Sequence, residues 1–369
     1  MLKGVPLAMK EEDISSAQTN EPVLISADPL KVFCSRILQK VGLPEPDAEL
    51  TADNLVFANL RGTDTHGVSR LGVYVQLIEG KVVNTRPNIK IIKDNGATLL
   101  VDGDNALGQV SGGFAMRSAI ERAKKSGISW VGVRNSGHLG ALAYWAMMAL
   151  PHDMIGICTT NTPPLLAPWG GKEPGVGNNP FAIAVPTGSE KPLVLDMALS
   201  VVARGNLFLA AKEGKKIPEG WAIDKNGMPT QDPNKALDGS VLPVGAYKGA
   251  GIAVMIDVLC GVLTGAAFGR DTGSIVPPDL SKPLGLGHAM MAIPINGFIH
   301  FDDFTSRIDR YIEQLKQSPL ADGFDEIFVP NEKEFHTEIN RKKEGIPLTR
   351  ATVDELCRLA EKYQVPSPY

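Results

Sequence analysis

The sequence predicts an α/β fold, and three observations support this prediction. Apolar segments that are typical of strands, "ATLLVDGDNALG" and "ISWVGVRNSG", flank an amphipathic segment with helical spacing, "GGFAMRSAIERAKKSG". Three further apolar segments, "MIGICTTN", "FAIAVPTG" and "KPLVLDMA", continue the strand pattern. The chain has 369 residues and is 43% hydrophobic, which allows two or three domains or one large core with excursions.

Helices are predicted around this core near both chain ends. The segment "VLISADPLKVFCSRILQKVGLP" indicates a short strand and then a helix with Asp28 as its N-cap, and "PDAELTADNLVFANLRG" indicates a second helix. Near the C-terminus, "TRATVDELCRLAEKYQV" has a capping-box pattern, with Thr352 as N-cap and Glu355 three residues later. Residues 1–26 are predicted to form a flexible tail, because charges interrupt them before any signal-peptide core.

The composition of the chain changes after residue 212. Residues 213–248 are polar and rich in turn formers, which indicates a domain boundary or an active-site insertion. The apolar segment Gly251 to Gly269 contains Asp257, so we expect a buried helix and not a membrane span. The strand-like "GHAMMAIPI" and the helical "FTSRIDRYIEQLKQS" follow it.

Charge and cysteine usage exclude several classes of function. The 37 Lys and Arg residues against 41 Asp and Glu give a net charge of -4, so neither nucleic acid nor a membrane is an expected partner. Four well-separated cysteines without a CxxC motif argue against a zinc knot or a secreted disulfide framework. A cytoplasmic location is therefore predicted.

The segment "RGTDTHGVSR" is the first candidate for chemistry. If a helix begins at Thr65 or Gly67, then His66, Arg70 and Tyr74 recur every four residues and share one face. An imidazole beside a guanidinium fits the reduction of a 2-oxo acid, because the carboxylate needs a forked donor and the new hydroxyl needs a proton. On spacing alone, a solvated helix start with Asp64 and Arg70 in a surface ion pair is the more common arrangement.

His138 is the second candidate acid or base, because it lies on a Gly-flanked turn after an apolar strand. The other four histidines, at positions 152, 288, 300 and 336, are predicted to be structural or exposed. The sequence has no HExxH motif, so a metal site is a weak hypothesis.

Cofactor motifs are mostly missing. No GxGxxG fingerprint leads from a strand into a helix, and no GxxxxGK[ST] phosphate loop occurs. Lys248 opens the Gly251 helix, where free backbone N–H groups would favour an anion. Gly249 and Gly251 are also consistent with a simple turn.

Seven segments, in order, resemble the malate/L-lactate dehydrogenase family of NAD(P)-dependent oxidoreductases, which lack a Rossmann fold and include ureidoglycolate, sulfolactate and diketogulonate enzymes. They are "LRGTDTHGVSRLGVYVQLIEGKV", "VRNSGHLGALAYW", "NTPPLLAPWGG", "GNNPFAIAVP", "LVLDMALSVVARG", "LPVGAYKGAGIAVMIDVLCGVLTGAAFG" and "EGIPL". The resemblance implies a homodimer and a central α/β domain with a largely antiparallel or mixed sheet. We assign residues 96–212 and 285–334 to this domain, 27–95 and 335–369 to a helical domain, and 213–284 to a third domain.

The resemblance also implies roles for individual residues. His66 matches the proton donor, His138 a second active-site histidine, and Asp196 a residue that could orient a catalytic histidine. Thr65, Arg70 and Tyr74 are expected to bind substrate. The expected contacts to NAD or NADP come from Thr162, Asp196, Met197, Ala198, Lys248 and Glu332.

This sequence departs from the family pattern at two places. Thr65 replaces the usual serine, which keeps the hydroxyl and adds a methyl group. Asn331 and Lys333 replace a glycine and an arginine, so only Glu332 of that segment is retained as a cofactor contact.

The predicted reaction is hydride transfer between the nicotinamide and C2 of a small 2-oxo or 2-hydroxy acid. Arg70 would bind the carboxylate, His66 would move the proton, and His138 would polarise the carbonyl or bind a distal group. Three alternatives stay open: a reductase of a cyclic imine carboxylate or diketo acid on the same fold, a metal-dependent hydrolase or lyase using both histidines, and a non-catalytic binding protein.

Overall fold

The computed structural model describes residues 21–369, and its elements follow the predicted alternation of strands and helices. The strands are β1 (Val23–Ile25), β2 (Lys90–Asn95), β3 (Thr98–Ala106), β4 (Ser129–Ser136), β5 (Met154–Thr160), β6 (Pro164–Leu166), β7 (Val176–Gly177), β8 (Phe181–Val185), β9 (Leu193–Met197), β10 (Ala222–Ile223), β11 (Pro229–Thr230), β12 (Ser240–Val241), β13 (Leu286–Pro294) and β14 (Ile346–Leu348). The helices are α1 (Ala27–Lys40), α2 (Glu45–Leu60), α3 (Leu71–Glu79), α4 (Gly108–Ser126), α5 (Leu142–Met147), α6 (Arg204–Lys212), α7 (Pro233–Asp238), α8 (Tyr247–Asp257), α9 (Phe301–Lys316), α10 (Glu332–Glu344) and α11 (Arg350–Tyr363).

A seven-stranded mixed sheet forms the centre of the molecule, in the order β2-β3-β4-β13-β5-β8-β9. Only the β3–β4 pair is parallel, and α4 makes the crossover between these two strands. The other five pairs are antiparallel, which confirms the predicted α/β class with a largely antiparallel sheet. Helices α4 and α5 cover the sheet, with Trp145 and Met116 fully buried against Val131 and Met290.

One detail of β3 differs from expectation. The residues of "DGDN" are typical turn formers, yet β3 continues through them to Ala106. Asp104 and Asn105 adopt positive φ values of 50° and 55°, and the pairing with β4 shifts register between Asp102 and Ala106. A bulge therefore absorbs the turn-forming residues.

The helical layer packs α1, α2, α3 and α11 around a second apolar core. Strand β1 pairs with β14, so Val23–Ile25 are not part of a flexible tail as predicted for residues 1–26, while residues 1–20 of that prediction lie outside the described part of the chain. Helix α1 begins at Ala27, which places Asp28 in the first turn and Ser26 at the N-cap. Helix α11 begins directly after β14, so Thr349, not Thr352, is the N-cap and accepts the Thr352 N–H at 3.3 Å.

A smaller five-stranded sheet, β11-β10-β12-β6-β7, forms a third unit. Residues 213–248, expected as a boundary or insertion, supply three of its strands, while β6 and β7 come from the preceding segment. Strand β12 pairs in parallel with β6 through Val241 and Leu166. The predicted division placed residues 164–177 in the central domain, whereas their strand pairing joins them to the third.

The apolar helix of this unit was predicted to be buried, but the structure buries only one of its sides. Helix α8 continues as a π-helix, Val258–Val262, and only one side, including Ala253 and Cys260, packs into the core. On the other side Met255, Val262 and Leu263 are 57%, 54% and 63% exposed. The apolar composition therefore reflects two surfaces, one of them open. Within residues 21–369, no helix is both long and apolar enough to cross a membrane.

Candidate active site

The histidine loop, residues 61–70, is built from two short 3-10 turns and not from the start of an α-helix. The turns are Asp64–His66 and Val68–Arg70, and α3 follows at Leu71. The Asn59 side chain separates them: its Oδ1 accepts the Val68 N–H at 2.8 Å and its Nδ2 donates to Asp64 at 2.6 Å. A Cβ at position 67 would lie 2.1 Å from Asn59 Oδ1, so Gly67 is needed there.

Asp64 ties the histidine loop to helix α10. Both of its carboxylate oxygens accept hydrogen bonds from Arg341, at 2.7 and 3.0 Å. The ion pair that spacing suggested between Asp64 and Arg70 is therefore absent, because Asp64 is taken by a residue far along the chain. This forked contact fixes the position of the turn that contains His66.

Arg70 is turned back toward its own loop. Its Nε donates to the Thr65 carbonyl at 2.7 Å, while the two terminal guanidinium nitrogens have no hydrogen-bond partner within residues 21–369. The Thr65 hydroxyl lies 3.0 Å from His66 Nδ1. The loop thus presents a forked donor beside an oriented imidazole.

His138 lies directly opposite His66. The two ring centroids are 5.3 Å apart and the ring planes are inclined by only 22°, so the rings are stacked. Nδ1 of His138 is 2.8 Å from the Tyr74 hydroxyl. Both histidines are half-buried. The stacking brings together the two residues that the sequence proposed as acid or base.

Tyr74 is fully buried, which argues against its predicted contact with substrate. Its hydroxyl is enclosed by His138 and by Gln109, whose Nε2 donates to it at 2.9 Å. Tyr74 therefore acts on the site through His138. Sequence reasoning missed Gln109, a single amide in an otherwise small and apolar helix start.

Burial and charge keep both imidazoles neutral. Burial, and then the positive charge of Arg70, lowers the pKa of His66 to about 4. The pKa of His138 is also lowered well below its ordinary value, first by burial and then by His66 and Arg70. In the free protein both rings are uncharged near neutral pH and can accept a proton or donate an N–H.

Asp196 lies at the end of β9 and supports the segment that follows His138. Its Oδ2 accepts the backbone N–H of Ala143 at 2.8 Å, in the first turn of α5. Crowding by protein atoms raises the pKa of this carboxyl, although the side chain still reaches solvent. Asp196 bonds neither His66 nor His138, so its expected orienting contact to a histidine is not formed.

Asn178 and Asn179 connect Thr162 to the segment after Met197 and Ala198. The sequence reasoning did not select these two asparagines. Thr162 donates its hydroxyl to Asn178 Oδ1 and its N–H to Asn179 Oδ1, both at 2.9 Å. Leu199, directly after Met197 and Ala198, donates its N–H to the Asn178 carbonyl at 2.7 Å. The Asn-Asn pair before a proline in "GNNP" was the available signal.

Asn179 also connects this cluster to α8, the helix of Lys248. Its Nδ2 donates to the Ala253 carbonyl at 2.7 Å. Lys248 is exposed in the first turn of α8, where the N-cap Ala246 offers no side-chain cap. Packing requires a glycine at position 249, since a Cβ there would lie 2.0 Å from the Val244 carbonyl oxygen.

Glu332, the last of the predicted cofactor residues, is held at the start of α10. Its carboxylate pairs with Lys316 at 2.6 Å and accepts the Val329 N–H at 2.9 Å. Within residues 21–369, no hydrogen bond joins it to another predicted site residue. These local contacts hold the start of α10.

The donor set fits a nicotinamide dinucleotide. The exposed cation of Lys248 and the uncapped start of α8 suit a diphosphate, while the Thr162 hydroxyl and the Asp196 carboxylate suit ribose hydroxyls. A metal has no comparable support, because no group of three His, Cys, Asp or Glu side chains within residues 21–369 could hold one. His288 is fully buried between Thr160 and Ser136, and His152, His300 and His336 are exposed, as predicted.

Comparisons with known proteins agree with this architecture. The family model described as malate/L-lactate dehydrogenase matches residues 25–357. A malate dehydrogenase of Pyrococcus abyssi is 42% identical over 93% of this chain and 96% of its own length. A (2R)-3-sulfolactate dehydrogenase (NADP(+)) of Chromohalobacter salexigens is 35% identical over 90% of this chain and 97% of its own, and a ureidoglycolate dehydrogenase (NAD(+)) of Escherichia coli is 33% identical over 88% and 92%.

A solved structure shares the fold along nearly the whole chain. The sulfolactate dehydrogenase of Methanocaldococcus jannaschii superposes with a TM-score of 0.88 at 37% identity, covering 93% of this chain and 98% of that one. These matches show that the chain belongs to the malate/L-lactate dehydrogenase family, the NAD(P)-dependent oxidoreductases of 2-hydroxy acids.

Proposed function

We propose that this protein interconverts a small, malate-like or lactate-like 2-hydroxy acid and its 2-oxo acid at a site made by Arg70, His66 and His138. The supporting observation is the stacked pair of imidazoles, 5.3 Å apart, beside a guanidinium whose terminal nitrogens have no partner within residues 21–369. Arg70 binds the carboxylate through that free fork. The nicotinamide, when bound, supplies or accepts the hydride at C2.

His66 moves the proton. In oxidation the neutral ring accepts the proton of the hydroxyl group as C2 loses its hydride, and in reduction the protonated ring returns it to the new alkoxide. The charge of Arg70 opposes protonation of His66 in the free protein. A substrate carboxylate at Arg70 offsets that charge, so the pKa of His66 rises once substrate is bound.

The cofactor is NAD or NADP, held by Thr162, Asp196, Met197, Ala198, Lys248 and Glu332. The asparagine contacts that join Thr162, the end of β9 and α8 support the first five of these residues. Glu332 rests on the family pattern alone, since its carboxylate is engaged with Lys316. Relatives named for each nucleotide support the pair of cofactors without selecting one.

We also infer a homodimer in the cytoplasm. The open side of α8 and of the π-helix after it exposes Met255 and Leu263, and α6 exposes Phe208 and Leu209 by 52% and 54%, apolar surface of the kind that a second copy of the chain would cover. Light scattering should give the mass of two chains, and Met255→Glu should reduce it to one, whereas the exposed control Met228→Glu should not. The four thiols, free in the structure, are consistent with a reducing compartment.

One assay tests the proposed reaction. The purified protein is mixed with NADH or NADPH and a panel of 2-oxo acids, diketo acids and cyclic imine carboxylates, and loss of the nicotinamide absorbance is followed. We expect turnover with a 2-oxo acid that survives a metal chelator. Turnover only with cyclic imines or diketo acids would select the reductase alternative, and activity lost on chelation without any nicotinamide change would select the hydrolase or lyase.

A further inference from the structure

A buried relay stands behind His138, made of Gln109, Tyr74 and His138 itself. Gln109 and Tyr74 are both fully buried. Gln109 Nε2 donates to the Tyr74 hydroxyl at 2.9 Å, and that hydroxyl lies 2.8 Å from His138 Nδ1. The other ring nitrogen, Nε2 of His138, has no hydrogen-bond partner within residues 21–369. The relay therefore contacts only Nδ1 of His138 and leaves Nε2 available to the active site.

Counting protons along the relay fixes the direction of each hydrogen bond. A tyrosine hydroxyl has one proton to donate, and burial raises the pKa of Tyr74 to about 12, so the proton stays in place. Because the amide N–H of Gln109 already points at the phenol oxygen, the phenol proton must point at His138 Nδ1. Nδ1 then accepts a hydrogen bond, and a neutral ring holds its own proton on Nε2.

We propose that Gln109 is a positioning residue which, through Tyr74, sets the tautomer of neutral His138, so that His138 presents an Nε2–H donor to the substrate oxygen. The inference rests on the proposed function for the role of that donor. A neutral imidazole can polarise a carbonyl without supplying a full charge or giving up its proton. Proton transfer is then left to His66, and the two stacked rings have different tasks.

The fold packs the start of α4, which carries Gln109, tightly against the turn that carries His138. A Cβ at Gly108 would lie 2.3 Å from the His138 carbonyl oxygen, and one at Gly140 would lie 3.0 Å from Gln109 Nε2. The start of α4 is therefore pressed against the backbone on both sides of His138. Gln109 Oε1 has no partner within residues 21–369. In the opposite amide orientation Oε1 would accept the phenol proton and His138 would hold its own proton on Nδ1, so the orientation of the Gln109 amide and the tautomer of His138 are tied together.

The tautomer can be read directly by NMR on the full-length protein labelled with 15N-histidine, without cofactor or substrate. The chain has six histidines, and the signals of His138 are assigned by their loss in His138→Asn. We expect the His138 Nε2 nitrogen to carry the proton at neutral pH and Nδ1 to be unprotonated. A proton on Nδ1 in the wild-type protein would overturn the proposal.

Two substitutions test the part played by Gln109. Gln109→Glu introduces an acceptor that takes the phenol proton, so the tyrosine oxygen turns to accept from His138 and the proton moves to Nδ1. Gln109→Met removes the donor without adding an acceptor and should give a mixture of both tautomers, with kcat lowered roughly tenfold. The matched control on the same helix is Ser118→Ala, whose hydroxyl bonds only its own helix, at the Phe114 carbonyl. It should change neither the tautomer nor kcat.

The outcomes separate this inference from the proposed function. Unchanged Nε2 protonation in both Gln109 variants would refute the role of Gln109, whatever the enzyme catalyses. If these variants do not fold, Tyr74→Phe provides the same test, since it removes the hydroxyl and should also release the tautomer. The predicted tautomers without any turnover of 2-oxo or 2-hydroxy acids would instead leave the relay intact and remove the proposed function.

Discussion

His66 and His138 face each other as stacked rings, yet the protein holds them in opposite ways. His66 lies on two short 3-10 turns, and its Nδ1 contacts only the exposed hydroxyl of the adjacent Thr65. His138 is bonded to a phenol that is itself fully buried and bonded to a buried amide. One ring therefore has a local, solvent-facing partner, and the other has a partner fixed by tertiary packing.

This difference indicates which ring can change its protonation state. Moving a proton requires neighbours that tolerate both charge states, and the open histidine loop can adjust its hydrogen bonds to either. The relay behind His138 is satisfied in one state only, because a proton added at Nδ1 would meet the tyrosine proton. We therefore assign proton transfer to His66 and hydrogen-bond donation to His138.

The largest expected effect comes from removing the proton carrier. His66→Ala should lower kcat by about 10²- to 10⁴-fold, the usual contribution of general acid–base catalysis, while the affinity for the reduced nucleotide stays nearly unchanged. Steady-state kinetics and nucleotide fluorescence measure the two quantities. His300→Ala, at an exposed site, serves as control. Turnover of the His66 variant at the wild-type rate would contradict the division of tasks.

Arg70→Lys gives the next largest effect. Arg70 bonds the Thr65 carbonyl through Nε and keeps its terminal nitrogens for substrate, whereas a lysine has one nitrogen and cannot do both. Losing one charge-assisted hydrogen bond predicts a fall in kcat/KM of about 10- to 100-fold. Arg86→Lys, on an exposed turn, is the matched control. Equal losses in both variants would show a general effect of the substitution and exclude this contact as the cause.

The sequence indicates which residues lie at the stacked rings, but not which long-range hydrogen bonds hold those residues in place. The four-residue recurrence of His66, Arg70 and Tyr74 correctly indicates one cluster, although Gly67 breaks the expected helix into two turns. Gln109 gives no signal, because its partner lies 35 residues away in the chain. Asp196 was selected by the family resemblance, but its contact to Ala143, which spans 53 residues, could not be predicted for the same reason.

The fold could be predicted in class but not in its surfaces. Alternating apolar segments indicate the strands of the central sheet, because burial on a sheet has its own period. The glycine-rich apolar segment at α8 misled the prediction of a buried helix, since a core-facing side and an exposed apolar side have the same composition. Composition alone does not distinguish a core from an interface.

A smaller effect is expected where the histidine loop is attached to α10. Asp64→Asn weakens the forked contact to Arg341, so His66 is positioned less firmly and kcat should fall about threefold to tenfold. Because Asp64 is 46% exposed, the free energy of unfolding should change by less than about 1 kcal/mol. Arg341→Met and the double variant complete a double-mutant cycle, with kcat as the measured quantity. Simple additivity of the two losses would show that the pair does not act as a unit.

The smallest expected effect is a shift in the titration of His66, and it tests the two rings directly. In wild-type protein followed by 15N-histidine NMR, His66 should stay neutral down to about pH 5, because burial and Arg70 lower its pKa to about 4. Arg70→Met removes a positive charge that opposes protonation, so the pKa of His66 should rise, yet remain below 6.5 because burial is the larger cause. Arg117→Met removes a positive charge that is not among the causes of the lowered His66 pKa, so it should leave the titration unchanged. The pKa of His138 should rise in the same direction, since Arg70 is also among the causes that lower it, after burial and His66. If instead both rings titrated together near their ordinary pKa, they would be two equivalent bases, and the contrast between an open and a locked histidine would be lost.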